Sequence, residues 1–446
     1  MPRPAVRALL AHETRALLSR AGRIQPFALT MPMVAAAAPN AQAWQAIDLH
    51  LSRGRSALRE LAHEFLAWLE SADGRTATAA RAQARFTFLR LRFNAALSDL
   101  DIFADALSQR AEHGLGVRLA GLDALARDAL DGLPGLTPPP LICYVDRGIG
   151  AAIRRARTRL PTGSKSPVAI IRVPRERMIG TGIGASLAHE VGHQAAALLG
   201  LVESLRPTLR AIALAAGSAS RAWTLWERWS SEIIADLWAV SRLGIAAPLG
   251  LLAVIGLPRV FVFRLNVDDP HPMPWVRLHL ACAFGNALHP DPQWGALSRL
   301  WAELYPPTAL SQELEETLRL LERTLPAFVQ VTLEHRAAAL NGRTLGEVLR
   351  HPGLEPGVLR SRPHTLEVLE TLRPCIALAH LGQARNDGAL AAEDEATLLE
   401  RLLTRWALTD AVRPRGAANV VELKAGAHAR PRTQDLSQHS KEAAHG

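Results

Sequence analysis

Cysteine is scarce in this chain of 446 residues: Cys143, Cys282 and Cys375 are far apart and odd in number. They form no CxxC pair and no disulfide framework, so a reducing compartment, the cytoplasm, is the expected location. A membrane-spanning run is also missing. The longest apolar stretch, 243–263, is punctuated by Gly244, Pro248, Gly250, Gly256, Pro258 and Arg259. Its unbroken part is shorter than the ~20 residues a span needs, so it reads as buried core. No export signal is expected: Glu13 interrupts the basic residues between Arg3 and Arg23, and Pro32 breaks the apolar stretch from Phe27 to Ala38. No basic stripe with interleaved aromatics occurs either. The net charge of +9 and pI near 10.5 therefore read as arginine serving as surface cation, and no nucleic-acid partner is expected. No repeat of fixed period is present.

What the chain does have is enough apolar sequence, 48% against 21% charged residues, to fold as a globular protein with more than one core. Residues 1–137 read as a helical region. Ile47, Leu51, Leu58, Leu61, Phe65 and Leu69 recur at helical spacing, and Asp73-Gly74 breaks the pattern. Pro138-Pro139-Pro140 reads as a linker. Residues 138–296 change texture. "LICYV" (141–145) and "PVAIIRV" (167–173) read as strands. They are followed by two helices, "GASLAHEVGHQAAALLGLVESL" and "WTLWERWSSEIIADLWAV". Helical periodicity returns over 297–410, and 411–446 reads as a disordered basic tail. The expected class is α+β, predominantly helical, with a small sheet in the central domain.

One pattern carries chemistry. His189-Glu190-Val191-Gly192-His193 is an H-E-x-x-H motif. On a helix, positions i and i+4 share a face, so both imidazoles can reach one zinc at about 2.0–2.1 Å. Glu190 lies about 100° round the helix, where it can take the proton of the water that zinc activates. Apolar flanks at Ile183, Leu187, Val191, Ala195 and Leu198 place the motif on a packed helix. A catalytic zinc needs a third protein ligand and an open position. Glu232 and Asp236, spaced i, i+4 on the second helix beside Trp226, Trp229, Ile233 and Leu237, supply the candidate. Glu232 would bind the metal. Asp236, one turn on, would hydrogen-bond the far nitrogen of His189 and raise its basicity.

HEVGH followed by Glu232-x-x-x-Asp236 resembles the gluzincin clan of zinc peptidases, which includes thermolysin and the CAAX-prenyl-protease type. The resemblance covers about residues 165–280, roughly a quarter of the chain. It implies a zincin-like domain with His189, His193 and Glu232 as Zn²⁺ ligands, Glu190 as base and Asp236 as orienter. "DDPHPMPWVRLHL" is similar to the H-P-x(4)-R element of the prenyl-protease-like branch. That likeness implies His271 as oxyanion support and Arg277 near the cleft. The chain departs from that branch in lacking convincing membrane spans, so a membrane-embedded chamber and a prenylated substrate are not implied. In gluzincins an edge strand before the motif helix pairs with substrate backbone, and "PVAIIRVP" is the candidate here, with an ordinary buried strand as the alternative. Gly180, Gly182 and Gly184 lack the residues that complete a phosphate loop and read as a flexible approach to the motif helix. His279 and His289 stand as substitutes for His271.

The function expected is therefore a zinc metallopeptidase acting on a peptide or protein substrate. Two alternatives stay open: a non-catalytic zinc-binding helical interaction protein, and a zinc hydrolase of a non-peptide amide. Retention of Glu190 counts against the first, because a structural site needs ligands but no base.

Overall fold

Short apolar strands between long amphipathic helices produce a small sheet enclosed by helices. The computed structural model describes residues 4–23, 27–132, 137–147, 151–175, 180–266 and 269–412. Thirteen helices of ten residues or more are described. Four precede the sheet: α1 (Pro4–Gly22), α2 (Ala41–Glu70), α3 (Ala79–Ser108) and α4 (His113–Leu130). The strands β1 (Leu141–Asp146), β2 (Ala152–Arg154) and β3 (Ala169–Pro174) follow. Then come α5 (Gly182–Leu199), α6 (Leu201–Ala215), α7 (Ser220–Leu243), α8 (Ala246–Ile255), α9 (Pro274–Leu288), α10 (Pro292–Leu304), α11 (Gln312–Glu334), α12 (Pro374–Asn386) and α13 (Ala392–Val412). The class is α+β and predominantly helical, as expected.

The sheet order is β1-β3-β2, with β1 parallel and β2 antiparallel to β3. Both faces are covered, which explains why the strands read as near-continuous apolar runs. Leu141, Cys143, Val145, Ala169, Ile171 and Val173 join the largest core, beneath α4, α5 and α7. Ile142 and Ile170 point the other way, against Ile47 of α2 and Phe103 of α3. The two candidate strands thus form. The short β2 carries no strand signal of its own in the sequence. Its presence corrects one expectation: β3, the strand before the motif helix, is paired on both sides over Ile170–Arg172 and is not an edge.

The largest core draws residues from α4 through α13, and the described chain up to Val412 belongs to one compact unit. Arg110 and Asp123 form a buried ion pair within it, and both bond the Cys143 backbone, tying α4 to β1. All three cysteines are buried and free. Ala411 and Val412 complete α13, and the rest of the basic tail lies outside the described residues.

Two expectations about helices need revision. The motif helix does not run on through "GLVESL". Gly200, at φ +60°, takes the left-handed conformation that ends α5, and α6 starts afresh. The glycines before it are less a flexible approach than a packing device. Gly182 and Gly184 lie in the first turn of α5, and a Cβ at Gly184 would overlap the Leu378 side chain. No described helix is long and apolar enough to cross a membrane. The 243–263 stretch is buried only in part, because Leu257, Val260 and Phe261 are exposed.

Candidate metal centre

The site is built where α5 crosses α7. Gly192, inside the H-E-x-x-H motif, makes the crossing close: a Cβ there would lie 2.8 Å from the Ala235 Cα and 2.9 Å from its carbonyl oxygen. Ala235 sits between Glu232 and Asp236, so this contact aligns the histidine face of one helix with the carboxylate face of the other. Indole hydrogen bonds set the height and rotation of α7. Trp226 donates to Thr324 Oγ1 at 2.9 Å and Trp238 to the Ala129 carbonyl at 2.9 Å. At the start of α5, the buried Glu395 carboxylate of α13 accepts the Thr181 backbone N–H at 2.7 Å, an anion favoured at a helix N-terminus.

His189, His193 and Glu232 converge. Their ligand atoms all lie within 4.8 Å of one another, and they are the one such group of three among the described residues. His189 Nε2 is 3.3 Å from Glu232 Oε2, and His193 Nε2 is 3.4 Å from Oε1. Ligands of one tetrahedral ion at about 2.0–2.2 Å stand about 3.4 Å apart, so these separations suit a shared metal. The buried Glu232 Oε2 has no hydrogen-bond partner among the described residues, although it lies 3.3 Å from both His189 Nε2 and His271 Nε2. Most buried acceptors find a partner, so an orphaned oxygen among imidazole nitrogens fits a cation held there. Burial alone would raise the Glu232 carboxyl, but the two imidazoles hold it well below the usual carboxylate range.

Behind the ligands lies a relay of ion pairs. Asp236 Oδ1 accepts from His189 Nδ1 at 2.8 Å and from Arg277 Nη2 at 2.8 Å, and Oδ2 accepts from Arg277 Nε at 2.6 Å. Burial opposes the Asp236 charge, and Arg277 with His189 pulls its carboxyl far below the ordinary value. Burial likewise lowers the His189 imidazole, and Asp236 more than reverses this, taking it to about 9. The hydrogen bond holds Nδ1 and leaves Nε2 facing Glu232, the orientation a ligand needs.

Glu190 is 8% exposed and makes no hydrogen bond or ion pair among the described residues. Burial pushes its carboxyl up from the ordinary value, against the pull of both histidines. It lines a pocket of about 140 Å³ together with His189, Asp236, His271 and Arg277. His271 sits at the site, with Nε2 3.3 Å from Glu232 Oε2 and Nδ1 2.6 Å from Asp269 Oδ1. The structure therefore brings together all seven residues singled out from the sequence. It separates the two substitutes: His279 bonds Ser298 in another cleft, and His289 is buried away from the pocket lining.

Sequence reasoning missed three parts of the site. Asp269 holds the His271 ring, and its only signal was a position two residues earlier in "DDPHP". Gly192 sets the helix approach, a role invisible without the partner helix. The pocket is mostly apolar, walled by Ala185 of α5, Ala239 and Val240 of α7, and Pro248, Leu251 and Val254 of α8. These residues come from three helices and share no local pattern. No family model, curated protein or solved structure matches the chain.

Proposed function

We propose that the chain is a zinc metallopeptidase of gluzincin type, with His189, His193 and Glu232 as ligands and Glu190 as general base. The observation that carries the reading is the convergence of two imidazole nitrogens and one carboxylate beside Glu190, an acid that lines the adjoining pocket and has no ion-pair partner among the described residues. A structural site needs ligands but no base, so an acid placed there favours chemistry. The His₂Glu donor set suits Zn²⁺ better than Mg²⁺ or Ca²⁺, which prefer oxygen ligands. Zinc bound there supplies a Lewis acid and lowers the pKa of water toward 7.

The protein's own groups then have separate tasks. Glu190 takes the proton of the attacking water and passes it to the leaving amine. His271, held through Nδ1 by Asp269, turns Nε2 toward the place where the oxyanion forms. Asp236 fixes His189, and Arg277 neutralises Asp236 and holds it in place. The apolar pocket beside Glu190 takes an apolar side chain next to the scissile bond. With β3 enclosed, the outer edge of β2 is the strand available to substrate backbone, and Ala151 just before it lines the same pocket. Peptide is favoured over another amide because a main-chain edge and a side-chain pocket lie together.

Metal analysis of the purified chain, with a peptide-library cleavage screen, tests the reading. About one zinc per chain is expected, since three ligands make one site. His189→Ala and Glu232→Ala should lose it, and Glu190→Gln should keep the metal and lose cleavage. Full metal content in His189→Ala removes the site assignment. A metal-loaded wild type that cleaves no peptide in the library removes the peptidase assignment and leaves the two alternatives.

A further inference from the structure

The apolar stretch 243–263 is only half used by the site. Its first part, α8, walls the metal-side pocket through Pro248, Leu251 and Val254. The chain then turns outward, and Leu257, Val260 and Phe261 are 43, 71 and 47% exposed. This tip is braced. The Tyr305 hydroxyl donates to the Leu257 carbonyl at 2.9 Å, and Arg259 donates to the carbonyls of Pro306 and Thr308 while lying over the Phe263 ring. Those bonds set the tip against the end of α10, where Leu300 and Leu304, spaced i, i+4, are 47 and 56% exposed. Five of the thirteen exposed large apolar side chains of the described residues belong to these two segments; of the rest, Phe88 with Leu91 and Leu408 with Val412 make only pairs. Exposed apolar residues grouped this way mark an interaction surface.

We propose that this tip docks the protein on an anionic lipid surface. The charges near it in sequence favour that partner: Arg264, three residues after Phe261, and Arg299, beside Leu300, are exposed, and within 255–266 and 297–308 the one exposed acid among the described residues is Glu303. Large apolar side chains flanked by arginine are what an interfacial anchor needs, the first entering the acyl boundary and the second meeting acidic headgroups. Leu257, Val260 and Phe261 face outward on this braced segment, and bracing of this kind lowers the ordering cost of insertion. Val254, a wall of the metal-side pocket, lies three residues before Leu257, so docking would hold the pocket close to the lipid surface. The inference needs no particular reaction at the metal centre.

Vesicle flotation with the full chain tests it, using phosphatidylcholine vesicles with and without phosphatidylglycerol. Wild type should float with the anionic vesicles and remain behind with pure phosphatidylcholine. Val260→Asp or Phe261→Asp should weaken binding about 10–100-fold, the worth of one inserted side chain. Arg264→Gln should weaken it less and reduce its salt dependence. These positions are exposed, so unchanged circular dichroism and melting will show that the variants fold. Leu214→Asp, at a site 89% exposed on α6, is the control and should bind as wild type. Failure of wild type to float, or an equal loss in Leu214→Asp, overturns the proposal. So does concentration-dependent self-association without vesicles that Val260→Asp abolishes, because the patch would then belong to a second copy of the chain.

Discussion

Asp236→Asn perturbs the candidate metal centre most sharply while leaving all three proposed ligands in place. Three donor hydrogens converge on this carboxylate, one from His189 and two from Arg277. An amide offers one acceptor oxygen and one NH₂ group. If the oxygen keeps His189, the NH₂ meets Arg277 Nε, donor against donor. If the amide turns over, the NH₂ faces His189 Nδ1, which must then give up its hydrogen to Nε2, the nitrogen that faces Glu232. The first orientation strands a buried guanidinium, and the second blocks a ligand. Loss of such an orienting carboxylate weakens metal binding by about 10–100-fold. The Asp236 and Arg277 side chains are each 11% exposed, so water screens them little. Breaking a buried pair by removing one charge costs about 3–5 kcal/mol. Chelator competition gives the zinc affinity, and urea unfolding of loaded and stripped protein gives the stability. The stability loss should persist in the stripped protein, because the ion pair does not involve the metal. Adding Arg277→Met should recover part of the stability, since it removes the unpaired charge, without restoring zinc affinity. An Asp236→Asn protein with unchanged zinc affinity and unchanged stability would refute the role given to this residue.

Three further outcomes are expected. His271→Ala should lower kcat by about 10²–10³ with zinc content and KM little changed, as the loss of one oxyanion donor requires; zinc loss in this variant would make His271 a ligand instead. Gly192→Ala should overpack the α5–α7 crossing by about 1–3 kcal/mol and reduce zinc affinity with it. By contrast Gly200→Ala, strained at φ +60° but outside the crossing, should lower melting temperature alone, and equal zinc affinities in the two variants would contradict the crossing argument. Burial holds His279 down at about 4, so the unfolded chain binds a proton that the fold refuses. Stability is full above the ordinary value of 6.5 and falls as pH drops toward 4, by about 1–2 kcal/mol near pH 5. Urea midpoints near pH 7 and pH 5 measure this, and a His279→Phe protein with the same pH dependence as wild type counts against it.

Much of this site was legible in the sequence because its chemistry is written at helical spacing. His189 and His193 share a helix face through the i, i+4 rule, and so do Glu232 and Asp236, whichever fold surrounds them. The apolar runs of 141–145 and 167–173 were likewise readable as strands, since covering both faces of a small sheet demands side chains of one kind. What stayed hidden was pairing between segments distant in sequence. The short β2 carries little apolar signal, yet it encloses β3 and moves the free sheet edge to another strand. The break at Gly200 depends on one backbone angle that glycine permits but does not announce.

By itself, then, the sequence determined the residue types, their faces and the helices that carry them. Only the tertiary structure decided that the two faces meet, because the meeting depends on a backbone approach between Gly192 and Ala235, residues that carry no chemistry of their own. It also decided that His271, not His279 or His289, stands at the His189–His193–Glu232 cluster. Two of these histidines lie on or beside one helix, eight residues apart, and helix direction alone cannot say which side faces the cleft. The apolar pocket belongs to the same class: its walls come from α5, α7 and α8, and a cavity is a property of surfaces brought together, with no counterpart in any single stretch of chain.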